Sequence, residues 1–152
     1  MQLVRVDRAG PGLEEARALF LEYWTSFGFT PCFQGFDGEL QGLPGAYGPP
    51  RGALLLAPRE GCVAVRPLDA TTAEMKRLYV RPQSRGKGLG RALAAAAIAH
   101  AREAGFSRLV LDTIHDEMAE AVALYRSMGF SETAPYLPEP TPGALCLELR
   151  LR

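Results

Sequence analysis

The residue order predicts a mixed-sheet α/β domain (α+β by some schemes), and three observations carry that prediction. Strand-like and helix-like stretches run as strand, helix, several strands, helix, strand, helix, two strands. A length of 152 residues makes one domain by size, residues 1–152, with a single buried core. A content of 47% apolar and 22% charged residues is that of an ordinary globular chain. Formal net charge is zero, so nothing suggests bulk affinity for nucleic acid or an acidic membrane surface.

The elements follow in order. "QLVRV" alternates as a strand and lacks the apolar core of a signal peptide. "GLEEARALFLEYWTSFGF" sets Leu13, Ala16, Leu19, Phe20, Tyr23 and Phe27 at helical spacing, with Gly28 marking the end. Residues 28–52 hold seven of the 16 glycines and four of the 12 prolines. Such a stretch is expected to be a loop serving as lid or substrate segment, with a helical turn or two in "FDGELQGL". "GALLLA" and "CVAVRPL" form a hairpin around "PREG", and "TAEMKRLYV" is the next strand, stopped by Pro82. Residues 88–104 form a helix ended by Gly105, and "SRLVLDTI" is a buried-type strand. "DEMAEAVALYRSMGF" is a helix with Asp116 at its N-cap and Gly129 past its end. "SETAPYL" and "ALCLELRL" are the last strands, split by a turn holding Pro138, Pro140 and Pro142.

"ALAAAAIAHA" is too short to span a bilayer. Cys32, Cys62 and Cys146 are odd in number and widely spaced, which favours reduced thiols over a disulfide framework or metal site. The expected location is the cytoplasm.

"RPQSRGKGLGRAL", residues 81–93, places Gly86, Gly88 and Gly90 among four basic side chains, directly ahead of a helix. Bare backbone N–H groups and a positive dipole end describe an anion cradle, most often for phosphate. A P-loop string is absent, and a dinucleotide fingerprint would need glycine where Arg91 stands.

Arg85, Gly88 and Gly90 meet the [QR]-x-x-G-x-[GA] pattern and so resemble the GNAT N-acetyltransferase superfamily. "AEMKRLYVRP" resembles that family's central strand, and "AVALYRSMGF" its A-x-x-L-Y-x-x-x-G-F helix. The three blocks lie in the family's order over residues 72–130. The resemblance implies a mostly antiparallel mixed sheet of six to seven strands flanked by helices, with a splayed cleft between the fourth and fifth. It implies acetyl-CoA as cofactor. The N–H groups of Gly86, Lys87, Gly88, Leu89, Gly90 and Arg91 would face its pyrophosphate, with Arg85 and Lys87 adding charge. Main-chain groups of Leu78, Tyr79 and Val80 would run along the pantetheine, Val80 N–H serving as oxyanion donor. Met118 and Ala121 would line the cofactor, Met118 standing where the family often has Asn. Tyr125 would be the general acid on the leaving sulfur.

Glu74 is the candidate base, or else simply the partner of Lys76 or Arg77. Asp112 and Thr113 end the next strand beside the cleft and would orient substrate or a water; His115 is a second possible base. The resemblance puts the acceptor pocket on Tyr23, Trp24, Phe33, Gln34, Phe36 and Tyr136, with Asp37 or Glu39 attracting an amine. The expected activity is acetyl transfer to a primary amine of a small molecule. A protein or peptide acetyltransferase (lysine or N-terminal amine) and a non-catalytic acyl-CoA-binding domain stay open, as does a homodimer.

Overall fold

The computed structural model describes residues 2–28, 35–114 and 119–151. The elements are β1 (Val4–Arg5), α1 (Pro11–Thr25), α2 (Phe36–Gln41), β2 (Ala53–Ala57), β3 (Gly61–Pro67), β4 (Thr72–Val80), α3 (Leu89–Glu103), β5 (Arg108–Ile114), α4 (Ala119–Ser127), β6 (Ser131–Glu132) and β7 (Ala144–Arg150). Every residue of β2 and the first five of β3 are buried, so both faces of the sheet must be covered. One face packs Leu54, Leu56, Cys62, Ala64 and Tyr79 against Leu19, Phe20 and Trp24 of α1 and Phe36 of α2. The other packs Leu55, Val63, Met75, Leu109, Leu111 and Leu147 against α3 and Tyr125 of α4. The buried stripe of α3 includes Ala94, Ala97 and Ala101, small enough to bring that helix close to the strands.

The seven strands lie in the order β1-β2-β3-β4-β5-β7-β6, antiparallel except for the β4–β5 pair. That pair is joined only at Thr72↔Arg108, Ala73↔Leu109 and Glu74↔Val110. Beyond Glu74 the two strands part. β5 stays with β7 over its whole length, while β4 stays with β3 to Val80. The sheet therefore splits along one seam, as expected between the fourth and fifth strands.

A bulge interrupts β4 within this open stretch. Ala64 pairs with Lys76 and Cys62 with Tyr79, so Arg77 and Leu78 together oppose Val63. Arg77 takes a left-handed φ of 60°. Before it, Ala73 and Met75 face α3; after it, Leu78 and Val80 do.

Three elements are shorter than expected. α1 stops at Thr25, because the hydroxyls of Thr25 and Ser26 bond back to the carbonyls of Leu21 and Tyr23, and Gly28 (φ 78°) completes a turn beyond. β1 keeps two paired residues at the sheet edge. β6 keeps Ser131 and Glu132 only: Pro135 has no N–H for a ladder, and the chain turns back over the sheet. The segment expected as a lid contains α2 and a helical turn at Gly45–Tyr47, with Phe36, Leu43 and Tyr47 buried. Asp116, the expected cap of α4, lies outside the described residues.

Candidate active site

Backbone makes one half of the site. The N–H of Arg81 bonds the carbonyl of Glu60 at 2.8 Å, so the adjacent pair Val80↔Gly61 is a non-bonded rung. By this alternation the N–H and C=O of Val80 point away from β3, into the seam. The carbonyl of Val80 accepts from Nε of Arg85 at 2.9 Å. Tyr79 differs: its carbonyl turns to β3, 2.5 Å from where a Cβ on Gly61 would stand. The expected pantetheine contacts thus divide. The backbone of Val80 is available, whereas Tyr79 offers its ring.

The glycine loop continues the wall. Gly86 and Gly88 have φ of 83° and 80°, a region that favours glycine, and Gly88 caps α3. The first backbone bond of α3 runs from Ala92 N–H to Gly88 C=O at 3.1 Å. Among the described residues no backbone acceptor takes the N–H groups of residues 86–91. Gly90 is helical, and a Cβ there would meet only Leu124 at 3.6 Å and Val80 at 3.9 Å. Packing does not demand glycine at that position, although it weakens a helix by up to about 1 kcal/mol. A ligand lying against the backbone would account for it, and the N–H groups suit a pyrophosphate. Together these groups line a cleft of about 980 Å³, walled opposite by Tyr23 of α1, by Ser26 and Phe27 in the turn after it and by Ala121 and Leu124 of α4. An ion pair between Arg81 and Glu22, at 2.6 Å, holds α1 against the end of β4.

Arg91 reaches Ser127 Oγ at 2.7 Å and so docks α4 as well as edging the cleft. Lys87 is exposed and outside the lining. Tyr125 is only 4% exposed, its ring 5.7 Å from that of Phe130. Burial, with Tyr23 nearby, pushes its hydroxyl well above the usual phenol range. Tyr23 itself rises to about 12, mainly through burial.

Side chains make the other half, on the α1/α2 face of the seam. Glu74 is fully buried and both its oxygens are taken: Arg66 donates at 2.7 Å and the Tyr136 hydroxyl at 2.5 Å. Neither Lys76 nor Arg77 is its ion-pair partner. Arg77 instead grips Glu39 with two bonds of 2.8 Å and lies 5.1 Å from the ring centres of Trp24 and Phe36. Burial would raise Glu39, but the bonds and charge of Arg77 prevail and hold it below the usual carboxylate range. Asp112 is half-buried; burial raises its carboxyl, with Glu74 adding and Lys76 opposing.

Several expectations need correcting. Phe36 is 1% exposed and stacked on Trp24 at 4.4 Å, so it is core and no pocket wall. Thr113 is buried and falls by strand alternation with Leu109 and Leu111 on the α3 side, opposite Asp112. Asp37 is exposed, and the position near Arg77 belongs to Glu39. Phe33, Gln34, His115 and Met118 lie outside the described residues. Residue order offers Lys76 only as a partner for Glu74 and gives no sign of Arg66. Alternation along β4 would have put Lys76 beside Glu74, but Arg66 required the β3–β4 register.

Residues 13–130 match the profile of the Acetyltransferase (GNAT) family. An uncharacterised N-acetyltransferase of Schizosaccharomyces pombe is 42% identical over 145 residues, covering 91% of this chain and 88% of that protein. A GNAT-family acetyltransferase from Staphylococcus aureus has the same fold, with TM-score 0.81 at 18% identity over 99% of this chain and 100% of the other. An aminoglycoside 6′-N-acetyltransferase complexed with coenzyme A also shares it, with TM-score 0.70 at 13% identity over 100% and 98% of the two chains. With a split sheet, a glycine cradle and these relatives, the chain belongs to the GNAT acetyltransferase family.

Proposed function

We propose that this GNAT acetyltransferase, a single domain over residues 1–152, uses acetyl-CoA to acetylate the primary amine of a small molecule by direct transfer. The observation that carries the reading is the parting of β4 and β5 beyond Glu74, which leaves the backbone of Val80 free and sets Lys76 and Asp112 on the two separated strands. Bound acetyl-CoA supplies an acetyl group activated as a thioester. The N–H groups of residues 86–91 hold its pyrophosphate, with Arg85 and Arg91 at the rim. Val80 N–H is the donor for charge developing on the acetyl oxygen. Asp112 takes the amine proton: burial raises it toward the working range of a base, and no described residue forms an ion pair with it. Glu74, with both oxygens engaged, anchors Tyr136 and Arg66. Tyr125 gives its hydroxyl proton to the departing sulfur. The C–N bond forms and the C–S bond breaks; an acceptor bound as an ammonium sheds two protons, one to Asp112, which releases it to solvent, and one that restores the Tyr125 hydroxyl through solvent.

A small acceptor suits the roof of this half. The β6–β7 loop crosses the sheet face to put Tyr136 on Glu74, in the path an extended peptide would take. Among the described residues no helix is long and apolar enough to cross a membrane, and Cys62 and Cys146 are free, in keeping with a cytoplasmic enzyme. A CoA-release assay over pooled small amines and peptides tests the reading. Turnover on small amines is expected, with kcat lowered by roughly 10²-fold in Tyr125→Phe. Turnover on peptides alone, or acetyl-CoA binding without turnover, would overturn it.

A further inference from the structure

The α1/α2 face of the seam carries six charged side chains. Four form two closed pairs, Arg66–Glu74 at 2.7 Å and Arg77–Glu39 at 2.8 Å. The remaining two are Lys76 and Asp112, and they do not close on each other or on any other described residue. Each stands two positions beyond the last joined rung, Glu74↔Val110, one on either strand. Alternation sends both to the same face, since Met75 and Leu111 face α3. The parting of the strands thus holds open the one pair that would otherwise close across the sheet.

Both groups bear the cost of that separation. Burial lowers the ammonium of Lys76, while Glu74 and Asp112 oppose the shift. Burial raises the carboxyl of Asp112. A half-buried cation and a half-buried anion, near enough to sense each other yet unpaired among the described residues, call for a ligand with both charges.

Resting on the reading of the seam as an amine-acetylating site, we infer that the acceptor is a zwitterion: its ammonium docks on Asp112 and its carboxylate on Lys76. The substrate class is therefore amino acids and related amino-carboxylates with a free primary amine. Simple alkylamines and polycationic amines leave Lys76 unanswered. Lys76 selects the substrate and takes no part in the proton transfers.

The test uses matched acceptors, each amino acid beside its carboxamide and its decarboxylated amine, with CoA release as readout. The unmodified enzyme is expected to favour the acid by about 10- to 100-fold in kcat/KM, the range of a hydrogen bond to a charged group. Lys76→Met should erase that ratio, mainly through KM for the acid, and Lys76→Arg should restore most of it. Melting temperatures of both variants report on folding separately. Equal or better turnover of the carboxamides and plain amines would overturn the zwitterion inference while leaving small-amine acetylation intact. An unchanged ratio in Lys76→Met would overturn it as well. No turnover on any small amine, with acetyl-CoA still bound by calorimetry, would remove both readings together.

Discussion

The two halves of the seam are built from different materials. The donor half is backbone: a glycine loop, the first turn of α3 and the free edge of Val80. The acceptor half is side chain: Glu74, Lys76 and Asp112, with Arg66 and Tyr136 brought in from other elements. Backbone donors present the same face whatever residues surround them, so they suit a handle that stays constant. Side chains are exchangeable, so they suit the partner that defines the individual enzyme.

Substitutions can break or sharpen this contrast. Gly88→Val should have the largest effect. A Cβ there meets no protein atom within 4 Å, so the fold bears only the strain of φ 80°, about 1–3 kcal/mol, whereas the ligand loses its approach. Acetyl-CoA affinity by calorimetry should fall at least about 100-fold, the order of the charge-assisted contacts at stake; intact affinity would remove the cradle. Asp112→Asn acts on the other half. It should lower kcat by about 10²-fold and leave acetyl-CoA affinity alone. The pH profile carries the sharper signature. A base must be deprotonated, so the unmodified enzyme gains activity as pH rises through the elevated pKa of Asp112, and the variant should lack that limb.

Glu39→Gln tests the support beneath the acceptor half. It leaves Arg77, whose side chain is 10% exposed, without its anion, at about 2 kcal/mol after allowance for partial solvation. The folded pKa of Glu39 is depressed, so its contribution is present above the ordinary carboxylate pKa and fades as pH falls through the lowered one. Melting curves from neutral to acid pH should therefore converge for the two proteins at the acid end. Gly90→Ala should give the smallest change and the cleanest one. Stability should hold or rise by up to about 1 kcal/mol, while acetyl-CoA affinity drops about tenfold, the equivalent of one ordinary hydrogen bond. A drop in stability with affinity intact would mean that glycine serves the helix and not the ligand.

The same contrast explains what could be read from residue order. The donor half occupies one unbroken run, Leu78 to Arg91, and its logic is local: glycines at fixed offsets, a helix directly behind, a proline ending the strand. The fold was equally legible, because β4, α3 and β5 are long enough to declare their periods. The acceptor half resisted. Arg66 meets Glu74 only through the register of β3 on β4, and Tyr136 reaches it across 62 residues of sequence. Phe36 looked like a pocket wall because an aromatic in a glycine-rich segment gives no hint that it will stack on Trp24. Lys76 reads in the sequence as a partner for Glu74, and only the engagement of Glu74 by Arg66 and Tyr136 sets it apart.

The extra residue in β4 has a consequence for how this strand tolerates change. Arg77 works like a dislocation in a crystal row: on one side even-numbered residues face α1, on the other odd-numbered ones do. Deleting Arg77 would restore a regular strand and leave Lys76, Leu78, Tyr79 and Val80 on the layers they now occupy. The loss would fall on the seam alone: the ion pair to Glu39 would go while both cores kept their alternation. Chimeras that swap the acceptor half between relatives should therefore move Arg77 and Glu39 together.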